Sequence, residues 1–246
     1  MRWVFLSPHY DDAVFSCGGG IWELCQAGEE VEVWTVCGGQ PPQNAKLSAY
    51  AEELHLRWGF SLEAVEARKA EDAEALSQLG AVGHSFQVPD CIYRASQSGE
   101  PLYTSDEELF SKLHPLDREL IQTLCMEISQ KLSGNEKLVC PLGVGNHVDH
   151  QLTRLAAERV GLPLLYYAEI PYIFRHPEWQ KEFLSPKLNV VAIPISEKGF
   201  EHWLDSVTAY RSQLSTFWEN ETHLYQTFHS YWQANPILEL WSCVGV

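Results

Sequence analysis

The chain has 246 residues, 45% of them apolar and 20% charged, and a formal net charge of −16. This is ordinary globular composition, and it predicts one domain over residues 1–246 with no stretch long enough to cross a bilayer. The acidity argues against nucleic acid and anionic membranes as partners, since phosphate is bound mainly through Lys and Arg, and it favours a neutral or cationic ligand.

The first half alternates strand and helix signals. Residues 2–7 form an apolar strand, and residues 12–27 carry Val14, Cys17, Ile21, Leu24 and Cys25 at helical spacing before Gly28. A second strand covers 31–37, a loop 40–44, and helices 46–58 and 61–79. A third strand is expected at about 82–88, a long loop at 89–104, a helix at 115–133, a fourth strand at 137–141 and a helix at 150–160. Strands at 163–167 and 188–195 follow, then helices over 197–233 broken near Thr216 to Thr222. This order predicts a Rossmann-like three-layer α/β/α fold with a mostly parallel sheet. Seven cysteines without a CxxC pair read as free thiols in a reducing, cytoplasmic setting, and the N-terminus shows no secretory signal pattern.

Two clusters stand at strand ends. Pro8-His9-Tyr10-Asp11-Asp12 follows the first strand, and Asn146-His147-Val148-Asp149-His150 follows the fourth. Parallel sheets bind ligands beyond the carboxyl ends of their strands, so the topology predicts one shared site. Imidazoles and carboxylates in this number suit a catalytic metal that keeps a position open for water. His9, Asp12 and one of His147 or His150 supply three ligands. Asp11, near a helix N-terminus, is left to act as a general base. Asp149 reads as the N-cap of the helix from 150, or as a carboxylate that fixes a histidine tautomer. Cys17-Gly18-Gly19-Gly20 reads as close helix–sheet approach or as a loop open to a ligand. In the 89–104 loop, Asp90 and Arg94 are candidates for substrate contact.

These residues resemble the LmbE-like (PIG-L) de-N-acetylases, which include zinc-dependent N-acetylglucosaminyl deacetylases. The family's PHPDDE motif, followed by a small residue and GG, is similar to Pro8-His9-Tyr10-Asp11-Asp12-Ala13 and Cys17-Gly18-Gly19; its HPDH motif is similar to His147-Val148-Asp149-His150. Arg68-Lys69-Ala70-Glu71 leading to Leu79-Gly80 resembles its RxxE helix, and Tyr210-Arg211-Ser212-Gln213 its late YxSQ segment. The resemblance implies His9, Asp12 and His150 as ligands of Zn²⁺, with Fe²⁺ the alternative for such a donor set. It implies Asp11 as the base, His147 as the group that stabilises or protonates the tetrahedral intermediate, oriented by Asp149, and Arg68 as a substrate contact. The implied reaction releases acetate from an N-acetylated amino sugar or glycoconjugate. Tyr10 replaces the usual proline and is expected beside the site as a substrate contact. Ala13 replaces the usual glutamate, and Gly145 stands where some members carry tyrosine. Two other readings stay open: an amidohydrolase for another small N-acyl compound, and a non-catalytic binding protein. A homo-oligomer also stays open.

Overall fold

The computed structural model describes residues 1–42, 47–59, 63–179 and 188–243. The strands are β1 (Arg2–Ser7), β2 (Glu30–Thr35), β3 (Val82–Ser85), β4 (Lys137–Pro141), β5 (Leu164–Tyr167), β6 (Leu188–Pro194) and β7 (Ile237–Cys243). They form one sheet in the order β3-β2-β1-β4-β5-β7-β6. The pairs from β3 to β5 are parallel, whereas β7 runs antiparallel to both β5 and β6. The expected three-layer, mostly parallel architecture is therefore present, with an antiparallel edge. The strand β7 was not foreseen; its residues Ile237-Leu238-Glu239-Leu240 alternate as strand residues do, after a proline.

The helices are α1 (Asp12–Gln26), α2 (Ala49–Arg57), α3 (Ala64–Leu79), α4 (Asp106–Leu109), α5 (Arg118–Lys131), α6 (Val148–Val160), α7 (Tyr172–Arg175), α8 (Glu197–Thr208), α9 (Arg211–Phe217) and α10 (Glu221–Ala234). The break expected near 216–222 is really two breaks, at 209–210 and 218–220. Parts of the loop over 40–44 and of the helix starts expected at 46 and 61 lie outside the described residues.

The chain reverses its direction along the sheet between β1 and β4, which are hydrogen-bonded neighbours. That switch point is where the ends of two adjacent strands open a crevice. The core beneath it is apolar and sealed: Val4, Phe5, Leu6, Leu138, Val139 and Cys140 are fully buried. The triple glycine lies inside α1 and serves packing rather than ligand binding. A Cβ on Gly18 would come 2.4 Å from Trp203 of α8, and one on Gly20 would come 2.4 Å from Leu238 of β7. Trp203 in turn donates its indole N–H to the Val14 carbonyl at 2.9 Å.

Candidate metal centre

The turn after β1 is built by Ser7. Its hydroxyl accepts from the Ala13 N–H at 2.9 Å and donates to the His9 carbonyl at 2.5 Å, so α1 starts immediately. Asp12 opens that helix, and its Oδ2 accepts from the His9 backbone N–H at 2.8 Å. The same oxygen lies 3.1 Å from His9 Nδ1 and 3.3 Å from His150 Nε2. His9 and His150 thus each present a ring nitrogen to the same Asp12 oxygen. Ligand atoms around one tetrahedral ion, bound at about 2.0–2.2 Å, stand roughly 3.3 Å apart, so these two spacings and these donor types suit a divalent metal.

Asp11 is the residue before that helix, yet its side chain caps nothing. The carboxylate instead faces Arg68 Nη2 at 3.4 Å. It remains available beside the donors.

The second cluster arrives on a strained turn. Gly143, Gly145 and Asn146 have φ of 90°, 86° and 61°. Asn146 holds its unusual backbone by donating to the Phe110 and Ser111 carbonyls at 3.0 and 3.1 Å. The helix begins at Val148, two residues before the expected start, and its cap is His147 rather than Asp149. His147 Nδ1 accepts the Asp149 backbone N–H at 3.2 Å. Ring nitrogens of His9, His147 and His150 all lie within 4.8 Å of one another.

Asp149 does orient a histidine, but a different one. Its Oδ2 lies 3.0 Å from His9 Nε2 and accepts the Cys91 N–H at 3.0 Å, while Oδ1 takes Arg94 Nη2 at 2.5 Å. His147 is held by a peptide N–H, not by a carboxylate. Behind His150 stands Glu169, which sequence reasoning missed. Its Oε1 is 3.1 Å from His150 Nδ1, and it is fully buried just past the end of β5. The one available signal is a lone acid in the apolar run Tyr166-Tyr167-Ala168-Glu169-Ile170-Pro171.

The electrostatics favour positive charge at this point. Burial opposes the imidazolium of His9, but the Asp90 charge and bonds to Asp12 and Asp149 outweigh it and raise its pKa well above the ordinary value. Burial opposes it at His150 too, yet Asp12 and Glu169 raise that pKa to about 9. Burial works against the Asp12 carboxylate, and the His150 charge overrides it and holds Asp12 well below the usual range. Asp11 is pushed upward by burial despite Arg68. Burial, reinforced by the His9 charge, holds His147 well below the histidine range, which favours the neutral imidazole. With Nδ1 accepting, its Nε2 carries the proton. An imidazolium at His147 is therefore not the form this pocket favours.

Oxygens of Asp90 and Asp149 also gather near His9. Arginines already neutralise that side: Arg94 is paired with Asp149, and Arg68 Nη1 lies 3.5 Å from Asp90. A dication is better served at Asp12, whose ion-pair partners among the described residues are imidazoles and not arginines.

The remaining candidates sort by contact. Arg68 bridges Asp11 and Asp90, stacked 4.8 Å from the Trp58 ring centre, and it does not pair with Glu71. Glu71 instead takes the Ser212 hydroxyl at 2.6 Å, and Asp72 takes the Tyr210 hydroxyl at 2.8 Å. The YxSQ segment thus clamps the helix that aims Arg68 at Asp11. Arg94 is buried between Asp149 and Asp117, 2.5 and 3.1 Å away, so the guanidinium expected to contact substrate is enclosed by the protein's own carboxylates. Asp90 caps the short 3₁₀ turn Cys91–Tyr93 through the Ile92 N–H. Tyr10 was expected beside the site; its buried ring turns toward β2 and its hydroxyl donates to the Gly38 carbonyl at 3.0 Å.

Residues 4–160 match the family model described as PIG-L: GlcNAc-PI de-N-acetylase. The chain belongs to the PIG-L family. It is 33% identical over 198 residues to the 2'-N-acetylparomamine deacetylase of Niallia circulans, covering 73% of this chain and 70% of the relative. Among solved structures it is similar to a deacetylase of the teicoplanin biosynthesis pathway, with a TM-score of 0.81 at 26% identity, covering 98% of this chain and 97% of the other. A zinc-inhibited form of teicoplanin deacetylase aligns with a TM-score of 0.82 at 24% identity, covering 98% and 97%. Within this PIG-L chain the matched span carries His9, Asp11, Asp12, His147, Asp149 and His150, whereas Glu169 lies beyond it.

Proposed function

We propose that this PIG-L protein is a metal-dependent hydrolase that removes an N-acetyl group from an amino sugar or glycoconjugate and releases acetate. The observation that carries the reading is the convergence of His9, Asp12 and His150 beside an Asp11 carboxylate that caps nothing. His9, Asp12 and His150 would hold the ion. The two imidazoles and one carboxylate suit zinc, with ferrous iron the second choice. A metal held there supplies Lewis-acid activation of water and of the acetamide carbonyl.

The protein's own groups do the rest. Asp11 takes the proton of the attacking water; burial makes its carboxylate more basic, and Arg68 keeps it placed. Neutral His147 presents an Nε2–H hydrogen-bond donor to the oxygen that becomes negative, and the proton taken up by Asp11 is passed to the departing nitrogen, which leaves Asp11 ionised again. One such donor is worth roughly 3–4 kcal/mol to the transition state. Asp149 orients His9 from behind. Asp90, paired with Arg68, is read as a substrate contact, and we read the whole chain as one domain.

The paromamine relative makes an N-acetylated aminoglycoside fragment the first substrate to try. Acetate release is measured from that compound, from N-acetylglucosamine derivatives and from simple N-acyl amines, alongside elemental analysis of the protein. Acetate from the sugars with about one equivalent of metal per chain supports the reading. Acetate from the N-acyl amines alone favours the broader amidohydrolase, and no release with no metal overturns it.

A further inference from the structure

We infer that Glu169 is a positioning residue of the metal centre: it reserves His150 Nε2 for the ion and holds in place the turn that delivers His147 and His150. The inference rests on the metal reading of the proposed function.

The carboxylate is fully buried and divides its oxygens between two tasks. Oε1 lies 3.1 Å from His150 Nδ1 and also accepts the Gly143 N–H at 2.6 Å, while Oε2 accepts the Val144 N–H at 3.0 Å. These are the first residues of the strained turn in which Gly143, Gly145 and Asn146 all have positive φ. One side chain from the end of β5 thus fixes both the ring and the loop that carries it. With Nδ1–H donated to Glu169, the opposite nitrogen of His150 is the one that faces Asp12 Oδ2, at 3.3 Å.

The placement follows from the sheet. Register between β4 and β5 pairs Pro141 with Tyr167, so the residues just beyond both strands lie side by side. No arginine or lysine faces Glu169 in an ion pair among the described residues. Its charge is met by two peptide N–H groups and by His150. A carboxylate so placed makes the imidazole a stronger donor, and losing such a partner typically weakens metal affinity 10- to 100-fold.

Glu169→Gln tests this with the zinc dissociation constant, measured by competition with a chromophoric chelator. Gln keeps the shape and removes the charge. The expected result is zinc binding weakened roughly 10- to 100-fold, in a metal-free variant whose melting is cooperative. An affinity within twofold of the natural chain overturns the inference, including the case in which only the melting temperature falls. If the variant does not fold, the natural zinc-loaded chain still decides. Its NMR spectrum should contain a slowly exchanging His150 Nδ1–H with a cross-peak to the Gly143 amide proton, and absence of that proton overturns the inference. A natural chain that takes up no zinc, cobalt or iron sinks the metal reading and this inference together. A natural chain that binds metal beside an unaffected Glu169→Gln sinks this inference alone.

Discussion

The two imidazoles that meet at Asp12 are braced from behind in different ways. His9 leans on Asp149, which is itself paired with Arg94, and Arg94 continues to Asp117. That side is a closed chain of alternating charges. His150 leans on Glu169, whose other partners are the Gly143 and Val144 peptide N–H groups. One wall is balanced by side chains; the other is balanced by backbone dipoles and, among the described residues, has His150 as its one ion-pair cation. The contrast teaches that the metal should matter to the two walls unequally. Removing it leaves the Asp149–Arg94 wall compensated and asks the Glu169 wall to rely on a protonated His150.

The strongest test removes the meeting point itself. Asp12→Ala or His150→Ala should abolish bound metal and lower turnover on the order of 10³-fold or more; near-stoichiometric metal in either purified variant breaks the assignment. Asp11→Asn should lower kcat by roughly 10²–10⁴-fold with metal content unchanged, and a variant with normal kcat removes Asp11 as the base.

Asp149→Asn addresses the wall with side-chain balance. It leaves Arg94 buried with one fewer carboxylate, and breaking a buried pair costs about 3–5 kcal/mol. Chemical denaturation should show that loss in the metal-free protein, where Glu169→Gln should show much less. Equal losses would erase the distinction between the walls. Gly145→Ala probes the strained turn. Its φ is 86°, and the added Cβ would stand 2.8 Å from the Tyr172 ring. The left-handed backbone alone costs about 1–2 kcal/mol, read from the same denaturation curves, and an unchanged midpoint argues against strain there.

The smallest effect is one of pH, at the clamp behind Arg68. Burial raises the Asp72 pKa from the ordinary 3.8 to about 7. The unfolded chain releases this proton near 3.8 and the folded chain near 7, so the folded state binds more protons between those values. Stability contributed at this position therefore falls as pH rises through that window. Asp72→Asn still accepts from Tyr210 and has no charge to bury. It should match the natural chain near pH 4 and exceed it in melting temperature by pH 8. A constant difference across that range removes Asp72 as the titrating group.

Much of this was legible without coordinates. The strand and helix alternation gave the parallel half of the sheet, because buried strands and capped helices leave local patterns. Both histidine clusters were visible as strand-end segments. What escaped notice was non-local. Strand β7 borders β5 only in the folded sheet. Tyr10 sits between His9 and Asp11 in sequence, yet the turn sends its ring to Gly38. Arg94 reads as a substrate contact in a long loop, and folding encloses it between Asp149 and Asp117.

The chain by itself determined which chemistry is present: imidazoles and carboxylates at the ends of β1 and β4, spaced so that a helix or turn gathers each set. Only the tertiary structure decided how those groups divide the work. Asp11 and Asp12 are neighbours with the same side chain. Asp12 opens α1 against two imidazoles, while Asp11 faces Arg68 of α3; burial raises both pKa values, and the imidazoles overcome it at Asp12 whereas Arg68 does not at Asp11. Likewise, Asp149 serves His9 rather than the histidine two residues before it, and Glu169 reaches His150 from the next strand. Hydrogen bonds at about 3 Å are set by the register of strands and the direction of turns, and neither quantity is written in the order of residues alone.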